Sequence, residues 1–230
     1  MRSEVEKIVE RYQRRKGASA GWYAAFRPEV VASTQERLRA LVSLFVAHGI
    51  NDLATADVLE IGCGGGRNLL ELLLLGAAPE RLLGNDLQPE RIDRARRVLP
   101  ESVRLFPGDA TALPFAPASF DIVYQSVVFS SVLDTAFQQR MADAMWRWVR
   151  PGGGVLWYDF TYDNPANPDV RGIPLRRVRE LFPKGLMRSR RVTLAPPISR
   201  RVVRIHPSMY GLFNALPLLR THLLCLIEKP

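Results

Sequence analysis

The chain predicts a doubly wound α/β fold around a mainly parallel, seven-stranded sheet. Three observations lead there. Short apolar runs alternate with helical segments from residue 57 to residue 160. A glycine-rich loop at 62–66 joins the first run to the first helix of that series. An acidic residue, Asp86, closes the second run. Parallel neighbours need crossover connections, and the intervening helices supply them.

The elements follow in order. Residues 1–16 read as a helix and 17–28 as a loop carrying Trp22, Tyr23 and Phe26. Ser33 followed by Glu36 has capping-box spacing and predicts a helix from there to about His48. Strands are expected at 57–61, 82–86, 103–106, 121–124, 155–160, 190–194 and 221–228. Helices are expected at 68–75, at 89–99 with Pro89 in the first turn, and at 136–149, ended by Pro151-Gly152-Gly153. The end is less regular, with helices expected at 174–181 and 208–218. Trp146, Trp148 and Trp157 read as core.

Bulk numbers exclude several classes. With 230 residues, 47% of them hydrophobic, the chain suits one domain with a sizeable core, or one domain plus short additions. Its longest apolar run, 69–78, is interrupted by Glu71 and is too short to span a bilayer. The mixed charge of residues 1–16 does not fit a secretory signal. Cys63 and Cys225 lie far apart, so neither a disulfide nor an oxidising compartment is expected, and a cytoplasmic home fits. No cysteine, histidine and carboxylate cluster has metal-ligand spacing. The net charge is +9, and residues 171–204 hold eleven basic residues against Glu180 alone. Such a face either solvates a surface or attracts anions, including phosphates and acidic membranes.

The glycine loop narrows the cofactor. A dinucleotide site wants G-x-G-x-x-G, but from Gly62 the third glycine falls on Arg67, and from Gly64 on Leu69. What remains is glycine at 62, 64 and 66, with Glu60 two positions before the first. Glu60-Ile61-Gly62-Cys63-Gly64-Gly65-Gly66 resembles the first motif of class I S-adenosylmethionine-dependent methyltransferases. Gly84-Asn85-Asp86-Leu87, Gly108-Asp109-Ala110, Ser119-Phe120-Asp121-Ile122-Val123 and Trp148-Val149-Arg150-Pro151-Gly152-Gly153 resemble that family's later motifs, in the same order. Outside this core, segments such as Trp157-Tyr158-Asp159-Phe160 resemble bacterial small-molecule methyltransferases of the type 11-like group.

The resemblance implies a Rossmann-like sheet whose last strand is antiparallel. It also implies S-adenosylmethionine as cofactor and a helical lid at 1–50 ahead of a methyltransferase domain at 51–230. It assigns the methionine end to Glu60, Gly62, Cys63, Gly64, Gly66, Gln125 and Ser126, with Asn68 as a further cofactor contact. It assigns the ribose to Asp86 and the adenine to Leu87, Asp109 and Ala110. Asp121 reads as a turn former rather than a ligand. Candidate bases are Asp159 and His206, with Tyr158 beside the first, while His48 and His222 read as structural. Tyr12, Trp22 and Tyr23 are expected at the acceptor, with Arg171 and Arg176 binding an acidic group on it. The expected substrate is a small acidic molecule or glycan methylated on oxygen. The alternatives are a nucleic-acid methyltransferase, not favoured because the amino-methylase element Asn/Asp-Pro-Pro-aromatic is missing after strand four, and a non-catalytic cofactor-binding protein. A membrane-surface contact and a monomer or homodimer complete the expectations.

Overall fold

The computed structural model describes residues 3–15, 24–165 and 167–230. Trp22 and Tyr23 therefore lie outside the described residues. Helix α1 (Glu4–Arg15) starts at a capping box of its own: Glu6 N donates to Ser3 Oγ, and Ser3 N to Glu6 Oε2. Helix α2 (Pro28–Ala47) begins at a proline in its first turn. The capping box expected at Ser33 and Glu36 is thus corrected. Ser33 lies inside α2, bonded back to Val30 O, and Glu36 reaches Thr193 N instead.

The chain then alternates: β1 (Val58–Ile61), α3 (Arg67–Leu74), β2 (Leu82–Asp86), α4 (Pro89–Val98), β3 (Arg104–Pro107), β4 (Phe120–Ser126), α5 (Thr135–Trp148) and β5 (Val149–Phe160). There follow α6 (Leu175–Leu181), β6 (Leu186–Leu194), α7 (Pro196–Ile205), α8 (Met209–Asn214) and β7 (Arg220–Glu228). The seven strands lie in the order β3-β2-β1-β4-β5-β7-β6, and β7 runs antiparallel to both neighbours. Strand order reverses between β1 and β4, which opens a crevice at their carboxyl ends.

Successive residues of the central strands feed opposite faces. Leu59, Val123 and Trp157 enter one core cluster, while Val58, Ile122 and Leu156 enter the other. Trp148 and Trp157 are fully buried, as the sequence suggested. Two differences stand out. Strand β5 starts directly after α5 and runs through Pro151–Gly153, with a register shift against β4. A Cβ at Gly153 would sit 2.5 Å from Asp121 O, so this close strand contact needs glycine. Helix α7 went unpredicted, and α8 stops at Asn214. A small third cluster of Leu194, Val202, Val203 and Tyr210 holds both helices to the sheet edge.

Candidate active site

The crevice at the carboxyl ends of the strands opens into a cavity of about 1110 Å³. That exceeds the roughly 300–1,000 Å³ of a single-ligand pocket and leaves room for a cofactor and an acceptor side by side. Its cofactor end is built by the loops after β1, β2, β3 and β4. Gly62 (φ +70) turns the chain out of β1, and a Cβ there would lie 2.4 Å from Val128 Cγ2. Only glycine fits that left-handed, crowded position. Cys63 N donates to Asn85 O, and Gly64 N to Asp86 Oδ2 at 2.9 Å, which lashes the glycine loop to β2. Asp86 Oδ1 accepts from Gln88 N. Asn85 donates its amide to Phe106 O and Gly108 O and so fixes the loop after β3.

Gly62, Asn68, Asp86, Leu87, Asp109, Ala110 and Ser126 all line the cavity. Asp109 also holds its own turn, its Oδ1 accepting from Thr111 N and Thr111 Oγ1. Glu60, Cys63, Gly64, Gly66 and Gln125 belong to the same strands and loops without lining the cavity themselves. Gln125 is occupied at both ends, accepting from Val128 N and donating to Tyr158 O. The Cys63 thiol is pushed well up by burial, with Glu60 and Asp86 adding to it, which makes it an unreactive packing group. Gly66 packs against Leu99 and Ala95. Asp121 is structural as read: it accepts from Asp57 N and pairs with Arg150.

Glu60 tests the fit of the cofactor. It is fully buried, and Asn68 Nδ2 donates to its Oε1. Its Oε2 has no partner among the described residues. Burial raises this carboxyl to about 8, against the opposing pull of the Asn68 bond. Burial thus holds this carboxyl mainly protonated at neutral pH, and a cationic ligand such as the ammonium of S-adenosylmethionine would favour its ionised form and give the orphaned oxygen a partner.

The other end of the cavity is covered by α1 and closed by β6 and α7. Val5, Ile8 and Tyr12 recur at i, i+3 and i+7 on one face of α1 and line the wall. Contacts with the chain beyond β4 pin the helix. Glu4 Oε1 accepts from Leu133 N, Arg11 donates to Ser131 O, and Tyr12 donates to Ser131 Oγ. Arg91 stacks on the Tyr12 ring at 4.3 Å. Across the cavity, Tyr158 shares a hydrogen bond with Thr193 Oγ1 at 2.8 Å and stacks on His222, with ring centroids 4.9 Å apart. Val127 (φ 57) and Thr193 (φ 63), both on the wall, hold left-handed conformations that β-branched residues rarely adopt.

Several expected roles need correction. Asp159 does not face the cavity. It is fully buried on the opposite side of β5, accepting from Ser130 N and Phe160 N, and burial lifts its carboxyl to about 7. The period of two sends Tyr158 and Phe160 to the cavity and Asp159 away from it. His206 is exposed past the end of α7, bonded to Ser208 Oγ, and lines no part of the cavity. Arg171 is exposed and donates to Leu133 O, while Arg176 stands 90% exposed beside Glu180. Neither lines the cavity: Arg171 turns to Leu133 O ahead of α6, and Arg176 lies on α6, which packs on α5.

The residues that sequence reasoning missed are His222, Arg37 and Arg200. His222 is brought in by the antiparallel register that sets it opposite Phe160. Burial, with Arg37 nearby, lowers its imidazole to about 4. Thr221 Oγ1 donates to Thr193 O at 3.5 Å and lies 3.1 Å from His222 Nδ1. Either atom of the Thr221–His222 pair can donate, according to the imidazole tautomer. Arg37 reaches from α2 to hold both oxygens of Glu71 and the Tyr124 hydroxyl. Arg200 lies on the wall from the first half of α7. A histidine in a strand and an arginine in a basic run carry no local signal of facing a cavity. Among the described residues, no group of three or more histidine, cysteine or acidic side chains converges to hold a metal.

Residues 58–153 match a family model described as a methyltransferase domain. That match spans under half of the chain, and the fold is shared with solved S-adenosylmethionine-dependent methyltransferases. A demethylmenaquinone methyltransferase of Deinococcus radiodurans is 32% identical over 142 residues, 56% of this chain and 57% of that protein. The tRNA N(3)-methylcytidine methyltransferase Mettl2 of Drosophila melanogaster is 32% identical over 116 residues, 47% of this chain and 35% of that one. The alignments thus span about a third to somewhat over half of these relatives. A solved S-adenosylmethionine-dependent methyltransferase from Mesorhizobium loti superposes with a TM-score of 0.60 at 16% identity, over 88% of this chain and 99% of that one. At that identity the likeness shows the fold alone.

Proposed function

We propose that this protein transfers a methyl group from S-adenosylmethionine to a hydroxyl of a small acidic molecule. The single observation that carries the reading is the cavity itself, with a glycine cradle at one end and a covered, mixed apolar and polar chamber at the other. Bound S-adenosylmethionine would supply an electrophilic methyl on a sulfonium. Glu60 and the 62–66 loop would hold its methionine end, Asp86 its ribose hydroxyls, and Leu87, Asp109 and Ala110 its adenine. The protein's own task is to aim the acceptor oxygen along the carbon–sulfur axis and keep water out. Helix α1 acts as the cover. Neutral His222, stacked beside Tyr158 on the cavity wall, accepts a hydrogen bond from the acceptor hydroxyl and orients it, a positioning role in place of the base expected at Asp159 or His206. Arg200, rather than Arg171 or Arg176, meets the acceptor's anionic group.

Calorimetry with S-adenosylmethionine, followed by labelled methyl transfer into extracted metabolites, tests the reading. Tight cofactor binding with label entering an acidic small molecule supports it, and absence of both overturns it. The Mettl2 likeness and the run of arginines favour a second reading, an RNA acceptor. Filter binding of tRNA that weakens steeply with salt, with label entering the RNA, would select it.

A further inference from the structure

We propose that the face formed by the end of α7, by α8 and by the turn Pro217–Leu219 docks on an anionic lipid bilayer. The proposal does not rest on methyl transfer. Four large apolar side chains stand in solvent on this face: Ile205 at 76% exposure, Leu212 at 64%, Leu216 at 56% and Leu218 at 85%. Single exposed leucines are ordinary, but a cluster on one small unit marks an interaction site. The unit is firmly built, with Val202, Val203 and Tyr210 packed beneath it against Phe213 and Leu219. Its outer leucines are therefore not core residues awaiting a place.

Charge selects the partner. From Leu181 to Ile227 the sequence has no aspartate or glutamate, yet it holds Lys184 and seven arginines. Arg201 and Arg204 are exposed on α7, next to Ile205. Apolar side chains rimmed by cations match acyl chains beneath anionic headgroups. A second copy of this face would set those arginines against their own kind, and a nucleic acid would leave the leucines wet. The same helix links the face to the cavity, because Pro196, Pro197, Ser199 and Arg200 in its first half line the wall.

The test is sedimentation of the full chain with vesicles of phosphatidylcholine, alone or mixed with phosphatidylglycerol. Binding to the mixed vesicles that fades with added salt is expected, with little to phosphatidylcholine alone. The triple variant Leu212→Ser, Leu216→Ser, Leu218→Ser and the double variant Arg201→Glu, Arg204→Glu should each lower partitioning about tenfold or more. Circular dichroism checks that each is folded, and the double variant carries the test if the triple one is not. Equal binding to both vesicle types overturns the proposal, as does no binding to either. So does a dimer in solution that the serine variant converts to a monomer.

Discussion

Replacing Arg37 by methionine strands the Glu71 carboxylate inside the protein, and the size of the effect follows from the contacts. Arg37 Nη2 lies 2.8 and 2.6 Å from the two oxygens of Glu71, and Nη1 donates to Tyr124 OH at 3.0 Å. Both charged side chains are about nine-tenths buried. Removing one partner of a buried pair destabilises by about 3–5 kcal/mol. Arg67 remains 3.6 Å from Glu71 Oε1, half exposed, which places the loss at the lower end, about 3 kcal/mol. For a chain of this size that is a fall of roughly 6–12 °C in melting temperature. The double variant Arg37→Met, Glu71→Met removes both charges and should recover to within about 1 kcal/mol of the parent. Urea unfolding of parent, single and double variants measures all three. A single-variant loss under about 1 kcal/mol, or a double variant as weak as the single, would refute the reasoning. Because Arg37 joins α2 to the helix behind the glycine loop, the single variant should also bind S-adenosylmethionine less tightly.

Further outcomes are expected. Asp86→Asn should weaken S-adenosylmethionine binding about tenfold to a hundredfold, since one carboxylate both ties Gly64 and would accept from the ribose; unchanged affinity by calorimetry removes the assignment. Gly62→Ala should lower stability by about 2 kcal/mol or more through left-handed strain and the clash with Val128, read by urea unfolding. His222 titrates near 4 when folded and near 6.5 when unfolded, so the unfolded chain binds the extra proton between those values. Its contribution is full above about pH 6.5 and falls by about 2–3 kcal/mol as the pH drops toward 4. His222→Asn should flatten that part of the stability curve and lower kcat about tenfold or more through loss of one positioning hydrogen bond. A variant with unaltered turnover leaves the histidine a packing role only. Removal of residues 1–23 should abolish turnover while the melting temperature of the remaining core moves little; full activity of the shortened chain would show that α1 is not a cover.

The sequence by itself determined what is local. Short apolar runs became strands from β1 onward, and the glycine spacing set the turn out of β1, because backbone conformation there answers to nearest neighbours. Two identical signals show the limit. Ser3 with Glu6 caps a helix, while Ser33 with Glu36 does not, because Pro28 has already started α2. Pro196 and Pro197 open α7, where a missing N–H does no harm, although no helix was expected there. What only the tertiary structure decided is which side of each element faces the cavity. Alternation along β5 separates Asp159 from Tyr158 in any fold, but sheet order alone says which of them meets the crevice. His222 enters through pairing with Phe160, and the arginines after β5 divide between α6, away from the site, and α7, beside it. Such placements depend on contacts between residues distant in the chain, and a local pattern carries no record of them.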